Sequence, residues 1–163
     1  MDEIIVRRAT KEDLQTLLEF EQGVISAERP FDPTLKPGKI NYYNLKEMLE
    51  NDDVELMVAL TGNEIVGSGY ARIENAKDYL QHRKHAYLGF MYVKPGLRGK
   101  GVNQKIIEGL KQWSLKRGLT EMRLDVYEEN VPAITAYERA GFSKHLIEMR
   151  LGIGDKQNAE KEI

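Results

Sequence analysis

The sequence predicts an α/β domain with a mixed sheet, and three observations carry that prediction. An apolar run over residues 88–93 breaks at Pro95 and Gly96, passes two further glycines and resumes from Val102 with helical periodicity. Two strand-like runs, residues 54–60 and 64–73, flank the tight turn Thr61, Gly62, Asn63 and read as a hairpin. A second strand-to-helix unit follows: residues 121–127 alternate, and Pro132 fits the first turn of a helix that Gly141 ends. Hairpins bring antiparallel pairing, and alternating strands and helices bring helices onto the sheet faces.

The remaining elements follow in order. Ile4, Ile5 and Val6 with Arg7 and Arg8 make a first strand, stopped at Thr10, whose spacing to Asp13 is that of a helix start. Leu14, Leu17, Leu18 and Val24 mark an amphipathic helix. Residues 26–39 hold Pro30, Pro33 and Pro37, too many for a helix interior, and form a loop. Leu45, Met48 and Leu49 restore helical spacing until residues 51–53 close it. Gly67 and Gly69 in the third strand suggest a bulge, a close backbone approach or a simple twist. Residues 75–84 are polar and connect to the central strand. Gly118, after Lys116 and Arg117, sits where a helix cap belongs. A last strand is expected over residues 145–151.

At 163 residues the chain is expected to be one domain over residues 1–152, with a polar tail over 153–163. It has no cysteine, which excludes disulfides, thiolate metal sites and a cysteine nucleophile. A net charge of -2 and a pI near 6.0 give no basic footprint for nucleic acid. No apolar run is long enough for a bilayer, and no charged-then-apolar leader opens the chain, so a cytoplasmic protein with no membrane partner is expected.

Chemistry is expected between residues 87 and 109. Arg98, Gly99, Lys100 and Gly101 precede a helix whose first N–H groups are unpaired, a place that binds anions and phosphates in particular. A turn needing glycine only to bend is the alternative. A P-loop needs Ser or Thr after the lysine, where Gly101 stands, and a dinucleotide fingerprint needs glycine at Gln104. Neither matches.

Residues 93–101, VKPGLRGKG, resemble the acyl-CoA-binding motif of the GCN5-related N-acetyltransferase (GNAT) family, and residues 124–130, LDVYEEN, with 131–142, VPAITAYERAGF, resemble its next strand and helix. The resemblance spans about residues 87–142. It implies a mixed, mostly antiparallel, twisted sheet with a central parallel strand pair splayed around acyl-CoA and helices on both faces. It also implies acetyl-CoA as cosubstrate, with no metal.

By the same resemblance, Arg98, Gly99, Lys100, Gly101, Val102, Asn103 and Gln104 hold the pyrophosphate, and the backbone of Met91, Tyr92 and Val93 pairs with the pantetheine arm. Asn130 and Ala133 also fall on the coenzyme side, with a helix N-cap as the equal alternative for Asn130. Tyr137 is implied as the general acid, against a packing role. The family's small residue after the glycine is replaced here by Asn103. Many members carry an acidic residue on the central strand, but Gly89 and Phe90 occupy those places, so the base is left open among Glu74, a first-helix or loop carboxylate and a water chain.

Glu28 and Asp32 in the proline-rich stretch can face a cationic amine or simply be solvated charges. His82, His85 and His145 lack the further ligands of a metal site. The resemblance therefore implies direct acetyl transfer to a primary amine in a ternary complex, a small molecule before a protein N-terminus or lysine. A non-catalytic acyl-CoA sensor is the rival. Only about ten residues follow Gly141 before the tail, so the sheet ends short, and a homodimer can complete it.

Overall fold

The computed structural model of the protein describes residues 2–154. One sheet runs in the order β1 (Ile4–Arg8), β2 (Val54–Thr61), β3 (Glu64–Asn75), β4 (Lys84–Val93) and β5 (Met122–Leu124). The first four strands pair antiparallel, and β5 lies parallel to β4. Helices α1 (Leu14–Glu28) and α2 (Leu45–Glu50) pack on one face around Leu17, Phe20, Leu45 and Leu56. Helices α3 (Val102–Lys116) and α4 (Val131–Arg139) pack on the other, with Ile106 and Leu110 at its centre and Tyr137 at its margin. Burying a leucine, isoleucine or phenylalanine side chain contributes about 1.5–3 kcal/mol, so these two clusters are the main source of stability.

The apolar run in β4 resolves into two alternating sets spliced by a bulge. Tyr70 pairs with Gly89 and Ser68 with Tyr92, so three steps on β4 oppose two on β3. Because side chains alternate with period two, the extra residue reverses the faces. Ala86 and Leu88 point to the α3 face, whereas Phe90 and Tyr92 point to the α1 face. Phe90 takes φ of 56°, the left-handed region that a bulky residue rarely enters, and its carbonyl accepts a hydrogen bond from the buried Ser68 hydroxyl at 3.1 Å. Gly67 and Gly69 let α3 close on the sheet: a Cβ at Gly69 would lie 2.6 Å from Met91 Sδ and 2.8 Å from Ile106 Cγ2.

The polar connection before α2 is held by a buried carboxylate. Glu21 accepts hydrogen bonds from Asn41 Nδ2 at 2.7 Å, Tyr42 N at 2.9 Å and Tyr43 N at 2.8 Å. Glu21→Ala would leave those donors without acceptors, at about 2 kcal/mol. The expected drop in Tm is roughly 4–8 °C, measured by calorimetry. An unchanged Tm would show that the loop is held by other contacts.

Three expectations are corrected. Helix α1 continues through Ser26 to Glu28, and Pro30 sits in a short 3-10 turn, Arg29–Phe31, where the first residues need no N–H partner, so the loop proper starts at Asp32. Strand β5 is confined to Met122–Leu124 because the chain turns away from β4 after Leu124. Residues 145–151 alternate as a strand should but pair with nothing among the described residues, which leaves the parallel pair at the end of the sheet instead of its centre. Most of the expected tail, residues 155–163, lies outside the described residues.

Candidate active site

The parallel pairing of β4 and β5 covers Ala86↔Met122, Tyr87↔Arg123 and Leu88↔Leu124, and then stops. From Gly89 to Val93 the β4 main chain has no strand on that side among the described residues. The N–H and C=O groups that β4 turns to that side meet no strand there, which makes them a template for an extended amide-bearing ligand. Met91, Tyr92 and Val93 all lie along this open edge.

At the end of β4 the chain passes through a 3-10 turn, Pro95–Leu97, to Arg98, whose Nε donates to the Val93 carbonyl at 3.3 Å. Gly99 has φ of 76° and Gly101, the N-cap of α3, has φ of 87°. A Cβ at either would meet nothing within 4 Å, so these glycines serve conformation and access instead of packing. No side chain caps the α3 N-terminus. Its first amides, over residues 102–104, therefore point unpaired at open space with the positive end of the helix dipole behind them, and Arg98 and Lys100 flank it. An anion is the natural occupant.

Gln104 and Asn130 have side-chain work within the fold. Gln104 Nε2 donates to the Ala136 carbonyl at 3.1 Å and so joins α3 to α4, leaving its backbone amide for a ligand. Asn130 caps α4, its Oδ1 accepting from Ala133 N at 3.4 Å. Val102 is buried in the core, and Asn103 is half-buried on the first turn of α3.

Tyr137 projects from α4 with its ring edge-on to Phe142, centroids 6.0 Å apart. Burial, with a smaller contribution from the Glu28 charge, pushes its pKa up to about 12. Its hydroxyl makes no hydrogen bond among the described residues and stays protonated at any working pH. Glu28 belongs to the opposite helical layer, and its charge is nonetheless felt at the Tyr137 hydroxyl.

Glu28 lies at the focus of several tyrosines: its charge also reaches Tyr42, Tyr43 and Tyr127. Burial raises the Glu28 carboxyl above the ordinary range, and the Asp32 charge acts in the same direction. The Tyr42 hydroxyl lies close enough to Glu28 to draw its carboxyl back down, but among the described residues it is buried without a partner in hydrogen-bond geometry. A buried unpartnered hydroxyl beside a desolvated carboxylate marks a place for a polar ligand. Asp32 accepts from the Tyr127 hydroxyl at 2.8 Å, and Phe31 stacks on Tyr127 at 6.1 Å, so the loop after α1 meets the chain beyond β5 across the site.

Glu74 is remote from this place. It pairs with Arg72 at 2.6 Å and lies opposite His85, four residues along β3 from the bulge, or about 13 Å. Gly89 cannot carry a carboxylate either, since a Cβ there would lie 2.5 Å from the Tyr70 hydroxyl. Sequence reasoning missed Tyr42, Tyr127 and Phe31. The signal available was the excess of tyrosine, eight against four phenylalanines, because a tyrosine retained at a buried position needs a use for its hydroxyl.

Among the described residues no helix is long and apolar enough to cross a membrane. The chain is 29% identical over 140 residues to an uncharacterized N-acetyltransferase of Methanocaldococcus jannaschii, covering 85% of this chain and 60% of that relative's length. A predicted acetyltransferase from Clostridium acetobutylicum, solved with acetyl-CoA, superposes with a TM-score of 0.71 at 16% identity, over 93% of this chain and 97% of that one. AAC(6')-Iy, solved with the bisubstrate analog CoA-S-monomethyl-acetylneamine, gives a TM-score of 0.69 at 22% identity, over 93% and 99%. These two likenesses show the fold. Residues 19–142 match the Acetyltransferase (GNAT) family, more than half of the chain, and the protein belongs to that family.

Proposed function

We propose that the protein transfers the acetyl group of acetyl-CoA directly to a primary amine of a small molecule, both held in one complex. The carrying observation is the half-buried Glu28 carboxylate, whose charge reaches both the Tyr42 hydroxyl and Tyr137. Residues 99–104 with Arg98 and Lys100 receive the pyrophosphate, and the open β4 edge at residues 91–93 pairs with the pantetheine amides. Asn130, whose Nδ2 makes no hydrogen bond among the described residues, and the adjoining Ala133 border the same arm. No metal takes part in this reading.

Glu28 attracts the cationic amine and accepts its proton, which frees the nitrogen lone pair to attack. A carbon–nitrogen bond forms, the carbon–sulfur bond breaks as the tetrahedral intermediate collapses, and the second proton lost by the nitrogen passes through solvent to the expelled sulfur, so that the coenzyme leaves as the free thiol. Tyr137 donates a hydrogen bond to the departing sulfur. With its pKa near 12, full proton transfer to a thiolate of pKa about 8.5 would run uphill, so Tyr137 stabilises the thiolate mainly by hydrogen bonding. Asp32 fixes Tyr127 at the rim and supplies a second negative charge for the amine. Positioning and proton management then account for the acceleration.

The bridge from Asp32 and Phe31 to Tyr127 narrows the acceptor side, which favours a small amine over a protein N-terminus or lysine. Glu28 stands in for the carboxylate absent from β4 and favours an enzyme over a sensor. A homodimer belongs to the same reading, because the sheet ends open at β5. An acetyl-CoA turnover screen across polyamines, amino sugars, amino acids and peptides, followed by free-thiol release, tests it. Turnover with at least one amine is expected, and coenzyme binding without turnover on any amine would favour the sensor.

Glu28→Gln separates function from stability. An unfolded glutamate ionises near 4.3, whereas the folded Glu28 carboxyl ionises at higher pH, so the folded state binds the proton more tightly. Its contribution to stability is most favourable in acid and is lost as pH rises through the raised pKa. At neutral pH the glutamine variant is therefore expected to melt at or above the wild-type temperature while kcat/KM for the amine falls at least about tenfold. A lower Tm with unchanged kcat/KM would make Glu28 a structural residue.

A further inference from the structure

The end of β4 opposite the glycine turn carries a recess of its own, about 30 Å along the strand from Val93. Two loops meet there: residues 76–83, which join β3 to β4, and residues 117–121, which join α3 to β5. Ala76 N donates to the Arg83 carbonyl at 2.8 Å and closes the first loop on itself. Ala86 N donates to the Glu121 carbonyl at 2.9 Å and ties the second loop to β4. Between the loops lie two cavities of about 360 and 510 Å³, which share His82, Arg83 and Lys84 in their walls.

The smaller cavity is walled by positive charge. Arg83 and Lys84 approach from one loop and Arg117 from the other, and no carboxylate lines it among the described residues. Arg117 is fixed in place: its guanidinium donates to the Asp52 carbonyl at 2.6 Å and to Asp53 Oδ1 at 2.8 Å, and lies 5.2 Å from the centre of the Trp113 ring. Asp53 offsets part of that charge, but Arg83 and Lys84 make no ion pair among the described residues. His82 adds a hydrogen-bonding group, since its Nε2 is buried with no partner among the described residues. Its ring stands edge-on to that of His85, centroids 5.6 Å apart, and His85 Nδ1 is buried and unpartnered in the same way. Buried polar atoms nearly always find a partner, so two orphaned nitrogens beside a cationic recess mark a place that a ligand completes.

We propose that this recess binds a small molecule through a phosphate group, at a site separate from the acetyl-transfer reading and independent of it. An anion follows from the sign of the walls. Phosphate follows from their directions: donors arrive from two loops and from an imidazole, and a tetrahedral group with several acceptor oxygens can meet them all. A planar carboxylate meets donors only near one plane. Arginine forks and lysine charges both suit phosphate oxygens. The volumes fall within the range of small-molecule sites, about 300–1,000 Å³. Beyond the shared residues the larger cavity is lined by Asn75, Asp78 and Leu80 among others. Asp78 repels a phosphate from that side, whereas the polar and apolar surface there suits the organic part of an ester.

With only three histidines in the chain, the site can be watched directly. The ring resonances of His82, assigned through His82→Gln, are followed by NMR as inorganic phosphate or glycerol 3-phosphate is added to the full chain, and calorimetry gives the affinities. Saturable movement of the His82 signals is expected, with affinity at least tenfold weaker in the double variant Arg83→Ser, Lys84→Ser. Both side chains are exposed, so that variant should keep the wild-type Tm. Tighter binding of the ester than of inorganic phosphate would identify an organic phosphate as the ligand, and equal or weaker binding would identify free phosphate. Unmoved His82 signals, or wild-type affinity in the double variant, would overturn the site. Phosphate that binds without moving those signals sits elsewhere, as at the α3 N-terminus. The His82 signals do not depend on acetyl-CoA, so failure of this site is distinguishable from failure of the acetyl-transfer reading.

Discussion

Gly101→Val is expected to weaken acetyl-CoA binding at least a hundredfold, about 2.7 kcal/mol, with the fold retained. The residue sits at φ of 87°, and a Cβ placed there meets no protein atom within 4 Å. The substitution therefore removes nothing from the core. It acts in two other ways. A β-branched residue held in the left-handed region is strained by about 1–3 kcal/mol and will pull the turn toward another conformation. Its methyl groups also enter the space faced by the first amides of α3, where a pyrophosphate would sit. Gly101→Asn distinguishes the two, since asparagine tolerates the left-handed region and only its side chain intrudes. Titration calorimetry with acetyl-CoA and with 3′,5′-ADP as a shorter probe checks the result. Wild-type affinity in Gly101→Val would remove the phosphate from this turn.

Tyr137→Phe is expected to lower kcat by between about ten- and a thousandfold, with coenzyme affinity and Tm nearly unchanged. The ring that packs edge-on to Phe142 stays, and only the hydroxyl goes. That hydroxyl has no partner in the fold among the described residues, so its loss frees no buried group and should leave stability alone. Loss of a positioned donor to a leaving group falls in the range of about 10² to 10⁴, and slow product release can hide part of it from kcat. Single-turnover rates remove that masking. Equal single-turnover rates for variant and wild type would make Tyr137 a packing residue and leave the thiolate to depart unaided.

The positive φ of the glycine turn was legible in the sequence because it depends on local order before a helix start, whereas Tyr137 was singled out by the family resemblance and its role belongs to the proposed function. The β4 bulge was not legible. Residues on both sides of it are apolar, so a one-residue change of phase leaves the run looking continuous, and only the pairing of Ser68 with Tyr92 and of Tyr70 with Gly89 shows it. The proposed acceptor side was half legible. Glu28 and Asp32 could be named, but Tyr42 and Tyr127 reach them through the path of the loop, which Glu21 fastens from inside α1. The last strand shows the reverse case, since its alternation is that of a strand and it pairs with nothing among the described residues.

The hydrogen bond from Gln104 to the Ala136 carbonyl bears on the order in which substrates enter. Gln104 stands on the first turn of α3, which faces the proposed phosphate position, and Ala136 is the residue before Tyr137. Any settling of that turn around the pyrophosphate is transmitted through one amide to the backbone that carries the phenol. The coenzyme should therefore prepare the place that the amine enters, which makes compulsory-order kinetics with acetyl-CoA leading the expected pattern. Product inhibition by free CoA would then be competitive against acetyl-CoA and noncompetitive against the amine. In Gln104→Ala the order would relax toward random while acetyl-CoA affinity changed little.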